Sequence, residues 1–226
     1  MQGKLIIIEG GDGSGKATQT KLLVEYLHSR KIPVATLSFP RYSDSFYGKL
    51  VGRFLAGEFG SLDSVSPYLA SIPYALDRLD ARDDIGKWLK EGKMVVIDRY
   101  VSSSLAHQAA KVAPEERTKL VDWLEEMEYE ENKLPRPDLV IYLHVPAQYA
   151  MALINKKATV REYTTGADIA ENKSHQEKAE EMFLNLASEK DWQKIECVSH
   201  GQLKTVPEIH TELLQIVRTT HTIDEI

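Results

Sequence analysis

A lysine at position 16 closes a glycine-rich run, Gly10-Gly-Asp-Gly-Ser-Gly15, and residues of these types in this order suit phosphate binding. Glycines let the backbone curl until several N–H groups face one anion. A helix opening at Lys16 would add the positive end of its dipole. Lys16 supplies a mobile point charge for outer phosphates. The pattern G-x-x-x-x-G-K-[ST] breaks at its last letter, because Ala17 stands where a hydroxyl would hold Mg²⁺. Thr18 follows, but successive helical residues point about 100° apart, so it does not take that place. The plain alternative is a glycine turn with an incidental lysine. A dinucleotide fingerprint through Gly11 and Gly13 would need glycine at 16 and an acidic residue after the next strand. The chain has Lys16 and Pro40-Arg41 instead.

Other candidate residues stand where strands should end. Asp98-Arg99-Tyr100 follows the apolar run Met94–Ile97. A carboxylate there can orient Mg²⁺ or its waters, and Arg99 can grip a second phosphate through two N–H groups. A strand-end salt bridge is the alternative. Phe39-Pro-Arg-Tyr42 follows the second strand, with Arg41 a phosphate ligand or an exposed loop arginine. Tyr74, Arg78 and Arg82 recur every four residues and share one helix face. Tyr74 could stack on a base while Arg78 reaches its edge or its phosphate. Alternatively Tyr74 is a core residue and the arginines pair with Asp77, Asp80 or Asp83. For Arg82 the paired state is expected.

These residues need a frame. Short apolar runs predict strands at Leu5–Glu9, Val34–Phe39, Met94–Asp98, Leu139–His144 and Ile195–Val198. Helical patterns lie between them: Lys16–Arg30, a long region from Gly48 to Glu91, Glu115–Tyr129, Ala147–Ile154, Lys173–Leu186 and Pro207–Thr219. Alternation of this kind predicts an α/β fold with a doubly wound, five-stranded parallel sheet, whose ligands sit at the carboxyl ends of the strands. Asn155 to Glu171 has few large apolar residues and reads as a mobile lid. The acidic stretch Glu125 to Glu131 reads as a solvated helix end. The 226 residues fit one domain, and a net charge of −6 implies no general affinity for nucleic acid or anionic membrane. One cysteine, Cys197, is expected as a buried strand residue in a reducing, cytoplasmic setting. Neither a signal peptide nor a membrane span is expected.

The motifs in sequence are Glu9-Gly-Gly-Asp-Gly-Ser-Gly-Lys16, Phe39-Pro-Arg41, Tyr74-Ala-Leu-Asp-Arg78, Asp98-Arg-Tyr-Val-Ser-Ser103 and Leu134-Pro-Arg-Pro-Asp-Leu139. In order and separation they resemble the thymidylate kinases, a branch of the P-loop nucleoside monophosphate kinases. The resemblance implies a P-loop kinase fold that moves the γ-phosphate of ATP to dTMP with Mg²⁺. ATP would lie on Gly10, Gly11, Asp12, Gly13, Ser14, Gly15, Lys16, Ala17 and Thr18. Asp12 would accept from the 3′-hydroxyl of dTMP, Tyr74 would stack on thymine and Arg78 would reach its edge. Arg41 and Arg99 would hold the monophosphate beside Phe39. Tyr100 would crowd the 2′ position, and Ser103 and Gln108 would face the base. Asp98 would serve the metal. The lid would supply a catalytic cation, with Arg161 as the candidate beside Lys16, Arg99 and Asp98. A homodimer is also implied.

His107 departs from the family pattern, which commonly has an aromatic there, and the stretch from Ala109 to Leu134 carries no motif. The alternatives left open are a kinase for another deoxynucleotide and a non-catalytic nucleotide-binding protein.

Overall fold

The computed structural model describes residues 2–150, 170, 172–188 and 191–220. Five parallel strands form one sheet in the order β2-β3-β1-β4-β5. They are β1 (Lys4–Gly10), β2 (Val34–Ser38), β3 (Met94–Asp98), β4 (Leu139–His144) and β5 (Trp192–Glu196). The register is unbroken from Lys4 against Met94 to Ile8 against Asp98, and from Ile6 against Leu139 to Gly10 against Leu143. The reading of an α/β parallel sheet holds.

The unbroken apolar runs have a physical reason. Alternate side chains of β1 enter opposite layers, and both layers are covered. Ile6 and Ile8 pack with Leu23 and Leu27 of α1 (Lys16–Ser29) and with Leu213 and Val217 of α7 (Val206–Thr220). Leu5 and Ile7 pack on the other face with Ile85 and Leu89 of α3 (Pro67–Lys90) and with Leu105 of α4 (Val101–Ala109). Leu120 and Leu124 of α5 (Pro114–Glu125) complete that layer. Each such fully buried aliphatic side chain contributes about 1.5–3 kcal/mol relative to exposure.

Four expectations need correction. The long helical region is two helices, α2 (Phe46–Leu55) and α3, because Gly57 and Gly60 take positive φ between them and Ser66-Pro67 restarts the helix. The fifth strand begins at Trp192 and ends at Glu196, since it is an edge strand with only Ile195 buried, and it lacks the apolar run of the inner strands. Cys197 follows it, buried but outside the strand, and burial pushes its thiol up to about 12. The acidic stretch is not merely a solvated helix end: residues Glu126–Glu131 form a π-helical turn after α5 that carries Glu128 fully inside. The helix Lys173–Leu186, here α6, stands as expected. Most of the segment from Asn155 to Glu171, read as a lid, lies outside the described residues, as does Arg161.

Candidate active site

The carboxyl ends of β1, β2 and β3 open into one cavity of about 330 Å³. At its β1 end lies the glycine-rich turn. Gly10 has φ 156°, and a Cβ there would stand 2.5 Å from Ser14 Oγ and 2.8 Å from the Leu143 carbonyl oxygen, so only glycine fits. Gly13 and Gly15 take positive φ as the chain turns into α1. Lys16 is 6% exposed, and its Nζ donates to the Gly11 carbonyl at 2.7 Å. Burial, with Arg99 nearby, pulls its pKa down to about 8. Ala17 and Thr18 line the cavity from the first turn of α1, and both are exposed.

β3 delivers Asp98 and Arg99. Arg99 has φ 64°, a conformation that costs a non-glycine residue on the order of 1–3 kcal/mol and that clusters at functional sites. Its N–H donates to the Ile8 carbonyl at 3.1 Å, and its guanidinium pairs with Asp12 and reaches Ser103 Oγ at 3.4 Å. The strand-end salt bridge and the cavity position are therefore both true of Arg99. Asp12 also accepts from Gln176 Nε2 of α6 at 3.0 Å, so the glycine turn, β3 and α6 meet at one carboxylate. Among the described residues Asp98 Oδ1 is buried without a hydrogen-bond partner, and burial raises its pKa against the pull of Lys16.

Glu9 is a residue whose part the sequence reading missed. It is fully buried, and it accepts from the Tyr100 N–H at 3.0 Å and from Ser102 Oγ and Ser103 Oγ at 2.7 Å each. It thereby holds the start of α4 beneath the cavity. The available signal was a carboxylate ending an otherwise apolar buried strand, which is costly unless fully hydrogen-bonded.

The other expected residues divide. Phe39, Tyr74, Tyr100, Ser103 and Gln108 line the cavity, as do Asp12, Gly13 and Gly15. Tyr100 is fully buried, its hydroxyl donates to the Pro135 carbonyl at 3.1 Å, and its ring lies 6.3 Å from that of Phe39. Tyr74 borders both the cavity and the small apolar cluster of Val51, Phe54, Leu55 and Leu62. Arg41 is not on the cavity wall. It lies in an adjoining cleft with Ala17 and Asp98, where its Nε meets Asp77 at 3.0 Å and its Nη2 meets Asp80 at 2.5 Å. The arginine on α3 therefore does not own those aspartates. Arg82 pairs with Asp83, as expected.

Arg78 reaches the cavity wall with its guanidinium already engaged. Nε and Nη2 bond to Glu128, Nη2 to Ser104 Oγ at 2.7 Å and Nη1 to the Tyr100 carbonyl at 3.3 Å. These contacts use most of its five N–H groups, because Glu128 is a buried counter-charge that sequence spacing did not disclose. His107 of α4 and His175 of α6 stack, with ring nitrogens 3.2 Å apart, on the cavity wall. Burial and mutual repulsion hold His107 well below its ordinary pKa, and burial with nearby Lys111 brings His175 to about 4.

Among the described residues no cluster of three or more His, Cys, Asp or Glu side chains could hold a metal alone, and no helix is long and apolar enough to cross a membrane. The site is thus an anion-facing cleft with cations at one end and an aromatic wall at the other. The sequence profile of the Thymidylate kinase family matches residues 8–209. The chain belongs to the thymidylate kinase family. A probable thymidylate kinase of Pyrococcus horikoshii is 31% identical over 220 residues, covering 96% of this chain and 97% of the relative. The thymidylate kinase of Plasmodium falciparum is 31% identical over 217 residues, covering 93% of each. A Mycobacterium tuberculosis thymidylate kinase is 37% identical over 146 residues, 65% of this chain and 68% of its own. In fold the chain is similar to the solved thymidylate kinase of Candida albicans, with a TM-score of 0.73, 24% identity, and coverage of 96% and 92%.

Proposed function

We propose that this protein transfers the γ-phosphate of ATP to dTMP, giving ADP and dTDP. The observation that carries the reading is the single cavity joining the Lys16 turn to the Tyr74 wall, with Arg99 and Asp12 between them. An oxygen of the dTMP phosphate attacks the γ-phosphorus, and the bond from that phosphorus to the β,γ-bridging oxygen breaks, leaving ADP. The protein's part is alignment and charge neutralisation. In this reading Lys16 and the amides from Gly10 to Thr18 hold the donor phosphates, and Arg99 holds the acceptor phosphate. Asp12 takes the 3′-hydroxyl, Tyr74 stacks on the base, and Tyr100 crowds the 2′ position. Phe39, Ser103 and Gln108 complete the acceptor side. Arg41 would reach the phosphate from the adjoining cleft only by loosening its hold on Asp80. Arg161, in the segment proposed as a lid, is the candidate for a second cation at the transferring group.

Mg²⁺ fits the residues present. Asp98 offers a buried carboxylate oxygen with no partner among the described residues, on the same cavity wall as Lys16 and Ala17. Mg²⁺ commonly takes one or two carboxylates plus phosphate oxygens and water, and it would neutralise charge on the transferring phosphates. Ala17 contributes no ligand. A homodimer is proposed on the family resemblance and on the exposed apolar residues Phe46 of α2 and Leu69 and Ile72 of α3. The proposed location is cytoplasmic.

A coupled ADP-release assay with a panel of nucleoside monophosphates tests the function. dTMP-dependent ADP release is expected. Tight nucleotide binding with no release under any condition would favour a non-catalytic binder instead.

A further inference from the structure

Arg99 follows β3 in a left-handed conformation, and the chain leaves the sheet there. One fully buried carboxylate on the neighbouring strand, Glu9 of β1, meets it from two directions. Through Oε1 Glu9 accepts the Tyr100 N–H at 3.0 Å. The Arg99 N–H is given to the Ile8 carbonyl at 3.1 Å. The amides on either side of the Arg99 Cα are thus tied to consecutive residues of β1. Positive φ in a non-glycine residue persists only where its surroundings over-determine it, and these two bonds do so.

Through Oε2 Glu9 accepts from Ser103 Oγ at 2.7 Å. A serine hydroxyl has one proton, and here it goes to the carboxylate, so Ser103 offers only lone pairs elsewhere. Arg99 Nη1 reaches that oxygen at 3.4 Å, while Nη2 pairs with Asp12. Glu9 therefore sets both the backbone and the guanidinium end of Arg99. It also acts through space: burial works against the charge on Arg99, and Asp12, Asp98 and Glu9 outweigh it. Glu9 itself meets three neutral donors and no cation among the described residues. A buried carboxylate held that way costs the fold stability, which points to a use in the site.

We propose that Glu9 is a positioning residue for phosphate capture: it holds Arg99 in its strained conformation and, through the Ser103 hydroxyl, keeps the guanidinium aimed at the acceptor phosphate. Glu9 itself touches no substrate. The proposal rests on the cavity being a nucleoside monophosphate site in which Arg99 takes the phosphate.

Glu9→Gln is the discriminating change, because the amide keeps the size and shape of the carboxylate. Its oxygen stays where the Tyr100 N–H and the Ser102 hydroxyl converge, so its NH₂ faces Ser103. That hydroxyl must then turn to accept, and its proton swings to the Arg99 side, donor against donor.

The test is binding calorimetry of dTMP against thymidine, which has the same base and sugar but no phosphate. The wild type should hold dTMP the more tightly. Glu9→Gln should lose on the order of 10-fold or more for dTMP and leave thymidine unchanged. In an Arg99→Met background, adding Glu9→Gln should change dTMP binding no further, since the effect runs through Arg99. Equal losses for dTMP and thymidine overturn the proposal, because a merely structural role weakens both. So does a Glu9→Gln loss that survives in Arg99→Met. Should Glu9→Gln not fold, Ser103→Ala removes the hydroxyl relay alone. A greater loss for dTMP than for thymidine then supports the proposal, and equal losses overturn it. A wild type that binds both ligands equally overturns the phosphate role of Arg99 and this proposal with it, leaving the base and sugar site standing. A wild type that binds neither fails the proposed function itself.

Discussion

Glu128 and Arg78 meet across fifty residues of chain, and both are sealed from water, at 0% and 2% side-chain exposure. The π-helical turn Glu126–Glu131, which follows α5, carries Glu128 and Tyr129 into the interior. Arg78 in turn is bound to Ser104 and to the Tyr100 carbonyl, so the pair ties α3, α4 and the π turn together beneath the cavity.

Breaking this pair on one side should be costly. Glu128→Gln leaves a buried guanidinium without a counter-charge, and the expected loss is about 3–5 kcal/mol in urea unfolding. Replacing both residues by methionine should cost clearly less than Glu128→Gln alone, because no charge is stranded. Equal losses for the single and double variants would mean that the pair is packing, not electrostatics.

Lys16 gives a pH signature as well as a rate effect. Lys16→Ala should lower turnover on the order of 10²-fold or more. In the free protein its ammonium loses its proton near pH 8, and only the charged form attracts phosphate. ATP affinity of the wild type should therefore weaken as pH rises through about 8, while Lys16→Met should bind weakly and with a flat profile across that range. A wild-type profile flat from pH 7 to about 9.5 would show that the charge on Lys16 does not govern ATP binding.

The metal site should be recoverable by one hydroxyl. Activity should depend strictly on a divalent ion, and Ala17→Ser should shift the Mg²⁺ titration to lower concentration by adding a positioned ligand. Asp98→Asn should shift it upward or abolish turnover. Initial rates against free Mg²⁺ at saturating ATP and dTMP compare the three proteins. Coinciding titrations would remove both residues from the metal site.

The His107–His175 stack should make the fold acid-sensitive in a defined window. His175 titrates near 6.5 when unfolded and near 4 when folded, so the unfolded chain binds the extra proton first. The stabilisation is complete above pH 6.5 and drains away as pH falls towards 4. For His175 alone, about 2 kcal/mol should be lost between pH 6.5 and 5. The double variant His107→Phe with His175→Gln should lose less between those pH values. Thermal melts across that range check this, and parallel declines in both proteins would move the acid sensitivity to the carboxylates.

What was legible in the sequence is what local pattern controls. The inner strands declare themselves because both faces are covered and every position is apolar. The glycine turn is legible because Gly10 has no room for a Cβ and Gly13 and Gly15 need positive φ. Asp98, Arg99 and Tyr74 follow from their places at strand ends and on one helix face. The pairings did not follow, because they join distant segments. Asp77, next to Arg78 in the chain, serves Arg41 instead, and Ser45 Oγ donates to the same carboxylate at 2.5 Å. Glu128 lies in a stretch without motifs, where an acidic run looks like solvated surface. Its meaning comes from burial, which neither period nor spacing reports.

Cys197 has a practical consequence. It is the chain's one cysteine, it is fully buried, and its thiol is held near pKa 12, so almost none is in the reactive thiolate form at neutral pH. A maleimide dye or spin label added to the folded protein should leave it untouched. A second cysteine placed on the surface, for example by Glu116→Cys at an exposed position of α5, would carry the whole signal without any need to remove the native one.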